Sequence, residues 1–459
     1  MRYDPHPHRF IPPNTSHYWL ENAHILPYLV ADPSSELVAT TSEGLALAHL
    51  EIKNGQLTQI IPATALSPRL PTIPRIDLAK RIIFPRFVDI HTHLDKGHIW
   101  ERSPNPDGTF AGALHSVEQD RAQYFQAEDV YRRMEFALQC SYAHGTAAIR
   151  THLDAAGEQG QISFDVFEQL RQEWGDRLIL QGVCLVSMDY YLTPAGEALA
   201  DRMADQGHAL GGFAYGPADL TAPLTRLLEL AQERGLDLDL HVDETDDDQS
   251  WVLHQVAALA LKLGFTGRII CGHCCSLDRQ SRSQVQQTLA LVKQARMAIT
   301  SLPLCNLYLQ GRHHRPSWRG ITRVHDIQRQ GIPLAFASDN CRDPFFAYGD
   351  HDGFEVLTQS IRIGQLDRPY DQWCASVNKI PAQLMGLGEQ GVGQLKTGNS
   401  ADFVIFNARY FSELFSRPQG DRLIVGQGKL IPVTLPDYQT LDDLMSPGAG
   451  KRDSNVIGR

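Results

Sequence analysis

Between Phe87 and Ser338 short apolar runs alternate with longer stretches in which apolar residues recur three and four apart. The runs are Phe87–Leu94, Thr146–Leu153, Ile179–Val186, Leu210–Tyr215, Leu236–Val242, Arg268–Cys274, Met297–Leu304 and Pro333–Ser338. Short runs bounded by turn residues read as buried strands. The three-and-four spacing reads as helix, as in Phe164-Asp165-Val166-Phe167-Glu168-Gln169-Leu170 and Leu224-Thr225-Arg226-Leu227-Leu228-Glu229-Leu230. Strands alternating with helices predict an α/β chain, and eight of them predict a (β/α)8 TIM-like barrel with its chemistry at the C-terminal strand ends. The rival, a doubly wound dinucleotide-binding sheet, calls for a Gly-rich turn after its first strand, and none follows Phe87–Leu94.

The flanks read differently. His49–Ile61 is two alternating runs separated by Asn54-Gly55, a strong hairpin signal. Strand and turn alternate again in Ala401–Phe406 and Leu423–Pro432. The two chain ends are therefore expected to build one small β-sandwich, residues 1–84 with residues 395–446, beside a barrel over residues 85–394. The polar tail 447–459 has little to bury and is expected to be disordered.

Composition narrows the partners. With 459 residues and 42% hydrophobic content the chain can bury a large core. The 42 basic against 53 acidic residues, a net charge of -11, and the lack of a Lys/Arg run argue against nucleic acid and for a small molecule. No apolar span reaches about 18 residues and no leader-like run opens the chain, so a cytoplasmic protein without membrane partners is expected, with homo-oligomerisation left open. Eight cysteines in so long a chain are no disulfide framework. Cys271 and Cys274 have C-x-x-C spacing, but no second pair follows at finger distance.

Polar groups collect at the predicted strand ends. The first strand ends in His91-Thr92-His93, the second in His152-Leu153-Asp154, the fifth in His241-Val242-Asp243-Glu244, the sixth in His273 and the eighth in Ser338-Asp339-Asn340. Side chains two apart on a strand share a face, so His91 and His93 point the same way, as half of a coordination shell would. A lone strand-end histidine is more often structural, but the same placement on five strands is hard to produce by packing alone. The fourth strand, Leu210–Tyr215, carries no lysine to bridge two ions, which favours one metal.

These residues resemble the amidohydrolase superfamily and, from about Phe84 to Ala401, its cytosine deaminase branch. The resemblance lies in the H-x-H of the first strand, in His241-Val242-Asp243-Glu244-Thr245-Asp246-Asp247, in His273 and in Asp339. It extends to Leu307-Tyr308-Leu309-Gln310-Gly311-Arg312 with Arg319-Gly320-Ile321-Thr322-Arg323-Val324, similar to the branch's long loop before the last strand. It implies one divalent Zn or Fe held by His91, His93, His241 and Asp339, and a hydrolytic deaminase of an amino-substituted nitrogen heterocycle. In that reading metal-bound hydroxide attacks the ring carbon, Glu244 shuttles the proton, and His273 and Asp339 assist. Three neutral imidazoles and one carboxylate leave a divalent ion partly uncompensated and able to lower the pKa of water to ~7.

Substrate recognition departs from the branch. Its ring-pairing glutamine corresponds to about Ser187, its carboxylate after the last-strand Asp to Asn340, and its nearby tryptophan to Phe345; Gln310 completes the expected substrate contacts. Ser338-Asp339-Asn340 and His93-Leu94-Asp95-Lys96 are similar to members that remove (alkyl)amino groups from s-triazines, the alternative activity, with a cyclic amidase as another. A non-catalytic binding protein would have no use for Glu244 beside four ligands. A serine cannot offer the paired donor and acceptor of an amide, so a bulkier or differently substituted ring than cytosine is expected.

Overall fold

The computed structural model describes residues 15–65, 73–311, 320–432 and 434–446. The tail 447–459, the first 14 residues and the motif residues Arg312 and Arg319 lie outside the described residues. The strands are β1 (His17–Ile25), β2 (Ala46–Lys53), β3 (Gln56–Pro62), β4 (Arg75–Asp77), β5 (Ile83–Pro85), β6 (Phe87–Thr92), β7 (Thr146–Asp154), β8 (Ile179–Leu185), β9 (Leu210–Ala214), β10 (Leu238–Val242), β11 (Ile269–His273), β12 (Ala298–Ser301), β13 (Leu334–Phe336), β14 (Phe403–Ile405), β15 (Leu423–Gly426) and β16 (Lys429–Leu430).

The centre is an α/β fold with parallel sheets. β6, β7 and β8 form one parallel sheet, and β9 to β13 form another in sequence order. Single parallel bridges link them at both margins: Val183 to Ala209 and Ser187 to Phe213 on one side, Thr92 to Asp339 on the other. All eight predicted central strands are present and, apart from the exposed Phe213 of β9, are largely buried on both faces, which is why they read as apolar runs. Strand β12 is shorter than the run Met297–Leu304, because Pro303 opens the helix Pro303–Leu309. Its fixed φ and missing N–H suit the first helical turn, not a ladder. Helices such as Thr221–Arg234 and Val252–Leu263 turn an apolar stripe (Leu224, Leu227, Leu228; Val252, Val256, Leu259) onto the same large core, each fully buried side chain contributing roughly 1.5–3 kcal/mol.

The chain ends form two further four-stranded sheets, ordered β3-β2-β1-β4 and β16-β15-β14-β5. The hairpin between β2 and β3 turns at Asn54 (φ 52°) and Gly55 (φ 82°), the left-handed pair that matches strand twist. Leu20, Ile25, Leu50 and Ile52 from the first end share one apolar cluster with Phe403, Ile405 and Val425 from the second. Among the described residues no helix is long and apolar enough to cross a membrane.

Candidate metal centre

Strand β6 is wholly buried and delivers His91 and His93 at its C-terminal end. Strand β10 brings His241 beside them, and Asp339 follows β13. The Asp339 N–H donates to the His91 carbonyl (2.9 Å) and the Thr92 hydroxyl donates to the Asp339 carbonyl (2.8 Å), tying the two strand ends together. The Nε2 atoms converge: His91 to His241 is 3.0 Å and His241 to His93 is 3.1 Å. Asp339 Oδ1 lies 3.3 Å from His93 Nε2 and 3.5 Å from His91 Nε2. These four residues can each offer a ligand atom within 4.8 Å of the others.

The electrostatics suit a cation. Burial, reinforced by neighbouring histidines, holds His91 and His241 well below the usual imidazole range, and burial with the nearby Lys96 charge does so for His93. All three are therefore neutral at pH 7, the form in which an imidazole can offer a lone pair to an ion. Burial pushes Asp339 up to about 7, and both its oxygens are buried without a hydrogen-bond partner among the described residues. A buried carboxylate facing three lone pairs is uncompensated until a cation joins it, so the donor set fits a divalent ion.

Beside this set lies an acid–base cluster. Glu244 follows β10 and keeps 12% of its side chain exposed, whereas His273, at the end of β11, keeps 2%. Burial, then the Asp339 charge, raises Glu244 well above the carboxylate range, and burial lowers His273 to about 3. The loop carrying Glu244 is pinned by Asp243, whose carboxylate accepts from the Ser250 hydroxyl (2.6 Å) and from the N–H groups of Val252 (3.0 Å) and Leu253 (2.9 Å). Asp243, His273 and Asp339 all have positive φ (56°, 67° and 64°). Such strain in non-glycine residues gathers where surrounding structure over-determines a site.

The substrate contacts expected from sequence are spread more widely. Asn340 is buried, and one of its two amide N–H groups donates to Asp343 Oδ2 (2.7 Å). Phe345 is half-buried with its ring 5.5 Å from Phe110, which reaches Tyr215 at 6.0 Å. Gln310 Nε2 makes a long contact to the Glu244 carbonyl (3.4 Å), and Ser187 is exposed at the turn Met188–Leu192. Two residues that sequence reasoning passed over are central: Asp243, visible only as part of a motif, and Asn306, which carries no local signal. His152, noted as a strand-end group, lies with its ring centroid 4.0 Å from that of His91, the two rings tilted by 39°. Asp154 pairs with Lys96 (3.0 Å) and with Arg121, and burial lowers Lys96 to about 8. Cys271, Cys274 and Cys275 are free and buried, and burial pushes their thiols up.

Residues 129–423 match the family described as "Amidohydrolase family". The chain belongs to the amidohydrolase family. The matched span holds His241, Glu244, His273 and Asp339, and begins after His91 and His93. This amidohydrolase is 44% identical over 440 residues to the pterin deaminase of Rhizobium rhizogenes, across 95% of this chain and 98% of that protein. It is 23% identical over 352 residues to the N-isopropylammelide isopropyl amidohydrolase of a Pseudomonas species, covering 72% and 81% of the two chains. Its fold is similar to that of the 5-methylcytosine deaminase of Klebsiella pneumoniae liganded with 5-fluorocytosine, with a TM-score of 0.75, 24% identity, and 91% and 98% of the two chains covered. Amidohydrolases are metal-dependent, and this one carries a buried His/Asp cluster able to hold an ion.

Proposed function

We propose that the protein is a metal-dependent hydrolytic deaminase of amino-substituted nitrogen heterocycles, with a pterin as its preferred class of substrate. The observation that carries this is the convergence of His91, His93, His241 and Asp339 beside Glu244 and His273, in a chain 44% identical over nearly its full length to a pterin deaminase. The proposed ion is a single Zn or Fe held by those four residues. When bound it supplies a Lewis acid and makes water a nucleophile near neutral pH. A second buried group, His91 with His152 and Asp239, is a poor second site, because Asp239 is already compensated by Arg150 at 2.9 Å.

The chain's own groups then divide the proton work. Glu244 takes one proton from the attacking water and delivers it to the exocyclic nitrogen, which leaves as ammonia, while the second water proton passes by way of Asp339 to the neighbouring ring nitrogen as the ring carbon becomes a carbonyl. His273 faces the same point and donates toward the developing oxygen, and Asp339 is a second proton acceptor. Phe345, Phe110 and Tyr215 form a run of touching aromatic rings, proposed as the surface on which a planar ring stacks. Ser187, Asn340 and Gln310 are the proposed polar contacts, with Asn340 oriented by its amide bond to Asp343.

The frame for this site is proposed to be a closed (β/α)8 barrel over residues 85–394, with residues 1–84 and 395–446 as a β-sandwich. The bridges between β8 and β9 and from Thr92 to Asp339 support closure, and the shared apolar cluster of the chain ends supports the sandwich. Because β5 pairs with β14, Pro85 sits with the sandwich side of that boundary.

Release of ammonia from pterin, cytosine and guanine, and of the alkylamine from an N-alkylated aminotriazine, tests the reading. Pterin should be turned over at least ten times more efficiently than cytosine, about 1.4 kcal/mol in transition-state binding. Cytosine as the best substrate would overturn the substrate assignment. Release from the triazine alone would instead favour the alkylamino-hydrolase reading supported by the Pseudomonas relative.

A further inference from the structure

We propose that Asn306 is a positioning residue which holds Glu244 and His273 together and sets the tautomer of His273, with the ring proton on Nε2. Asn306 lies on the helix Pro303–Leu309 and is 1% exposed. Its Nδ2 is 3.1 Å from Glu244 Oε1 and 3.0 Å from His273 Nδ1. A primary amide carries two N–H donors on one nitrogen, so one side chain can serve both acceptors at once. The segment also steadies the Glu244 backbone, through Gln310 Nε2 and the Glu244 carbonyl.

The tautomer follows from the donor count. An N–H donated to Nδ1 requires a lone pair there, which leaves the proton of a neutral imidazole on Nε2. His273 Nε2 is buried and has no partner among the described residues, and its ring packs 5.0 Å from His241 and 5.4 Å from His91. The Nε2 proton is thus presented beside the proposed ligand set, to whatever oxygen or ring atom enters. In the rival arrangement Nδ1 carries the proton and donates to Glu244 Oε1, 3.2 Å away. That turns an N–H toward the Asn306 amide nitrogen, donor against donor in a buried place. With Glu244 ionised, as its role as proton acceptor requires, turning the amide over instead sets Asn306 Oδ1 against Glu244 Oε1, acceptor against acceptor. Donation from Asn306 to both groups leaves neither conflict.

The consequence for turnover rests on the deaminase reading; the tautomer itself does not. Long-range ¹⁵N–¹H NMR of the full chain, zinc-loaded and labelled in histidine, reads the tautomer directly, with His273 assigned by the signal lost in His273→Gln. The wild type should show Nε2–H. Asn306→Leu, which removes both donors, and Asn306→Asp, which offers only acceptors to Nδ1, should shift the ring toward Nδ1–H. Zinc content should be unchanged in both. With the best substrate of the panel, Asn306→Leu should lower kcat about 10- to 100-fold with KM within about threefold. A wild-type ring protonated on Nδ1, or an Asn306→Leu ring with the wild-type tautomer, overturns the proposal, as does a rise in KM with kcat intact. If no compound in the panel is turned over while His273 carries Nε2–H, the deaminase reading fails and the tautomer assignment stands.

Discussion

At the scale of single residues, the proposed chemistry separates ion binding from proton transfer. His91→Ala and Asp339→Ala should each lose the ion, whereas Glu244→Gln keeps the shape of the shuttle without its titrating proton. It should retain about one metal per chain with turnover down roughly 10²-fold or more. Elemental analysis beside ammonia release checks both, and two tightly held ions per chain would overturn the single-ion assignment. A second residue-level prediction lies away from the site. Burial lowers His208, 2.8 Å from Glu168 Oε1, from 6.5 to about 3. As pH falls below 6.5 the unfolded chain takes up the proton and the folded chain does not. The stability His208 contributes above that pH is therefore lost progressively down to about 3, at up to about 1.4 kcal/mol per pH unit. Denaturation midpoints at pH 7, 6 and 5 should show a shallower acid loss in His208→Asn than in the wild type; parallel curves would mean His208 protonates in place.

At the scale of elements, the site depends on close approach between strands. A Cβ on Gly272 of β11 would stand 2.8 Å from His91 Cε1 and 3.1 Å from its Nδ1. Gly272→Ala should therefore push the His91 ring off its converging geometry and weaken zinc binding about tenfold, while far-UV circular dichroism stays unchanged. Competition with a chelator measures it, and undiminished affinity would mean the ring can yield. The strands themselves were legible in sequence, because burial on both faces writes them as apolar runs. The exception, Met297–Leu304, shows how an apolar run is blind to its own end: only Pro303 marks where strand gives way to helix. That boundary matters, since the helix it opens carries Asn306.

At the scale of the whole molecule, the two chain ends need each other. β14 pairs with β5, and Phe403, Ile405 and Val425 complete an apolar cluster begun by β1 and β2. A chain stopped at residue 394 should thus lose cooperative thermal unfolding, or fail to accumulate as folded protein, as seen by calorimetry and soluble yield. A truncated chain that melts cooperatively and binds zinc would mean the first sheet covers its own face.

What the sequence alone determined is the order of central elements and the identity of the groups at their ends: His91, His93, His241, Glu244, His273 and Asp339 are read from strand periodicity and from a family's motif. Periodicity is local, and it says which face a residue takes and where along the chain a strand stops. What only the tertiary structure decided is how those groups pair. That Asn340 donates to Asp343, that Ser187 is exposed, that Asp243 caps the helix Val252–Leu263, and that Asn306 reaches both Glu244, 62 positions before it, and His273, 33 positions before it, all depend on loop paths. Hydrogen bonds are short and directional, so a partner is chosen by backbone placement to within a few tenths of an ångström, and no spacing along a chain encodes that.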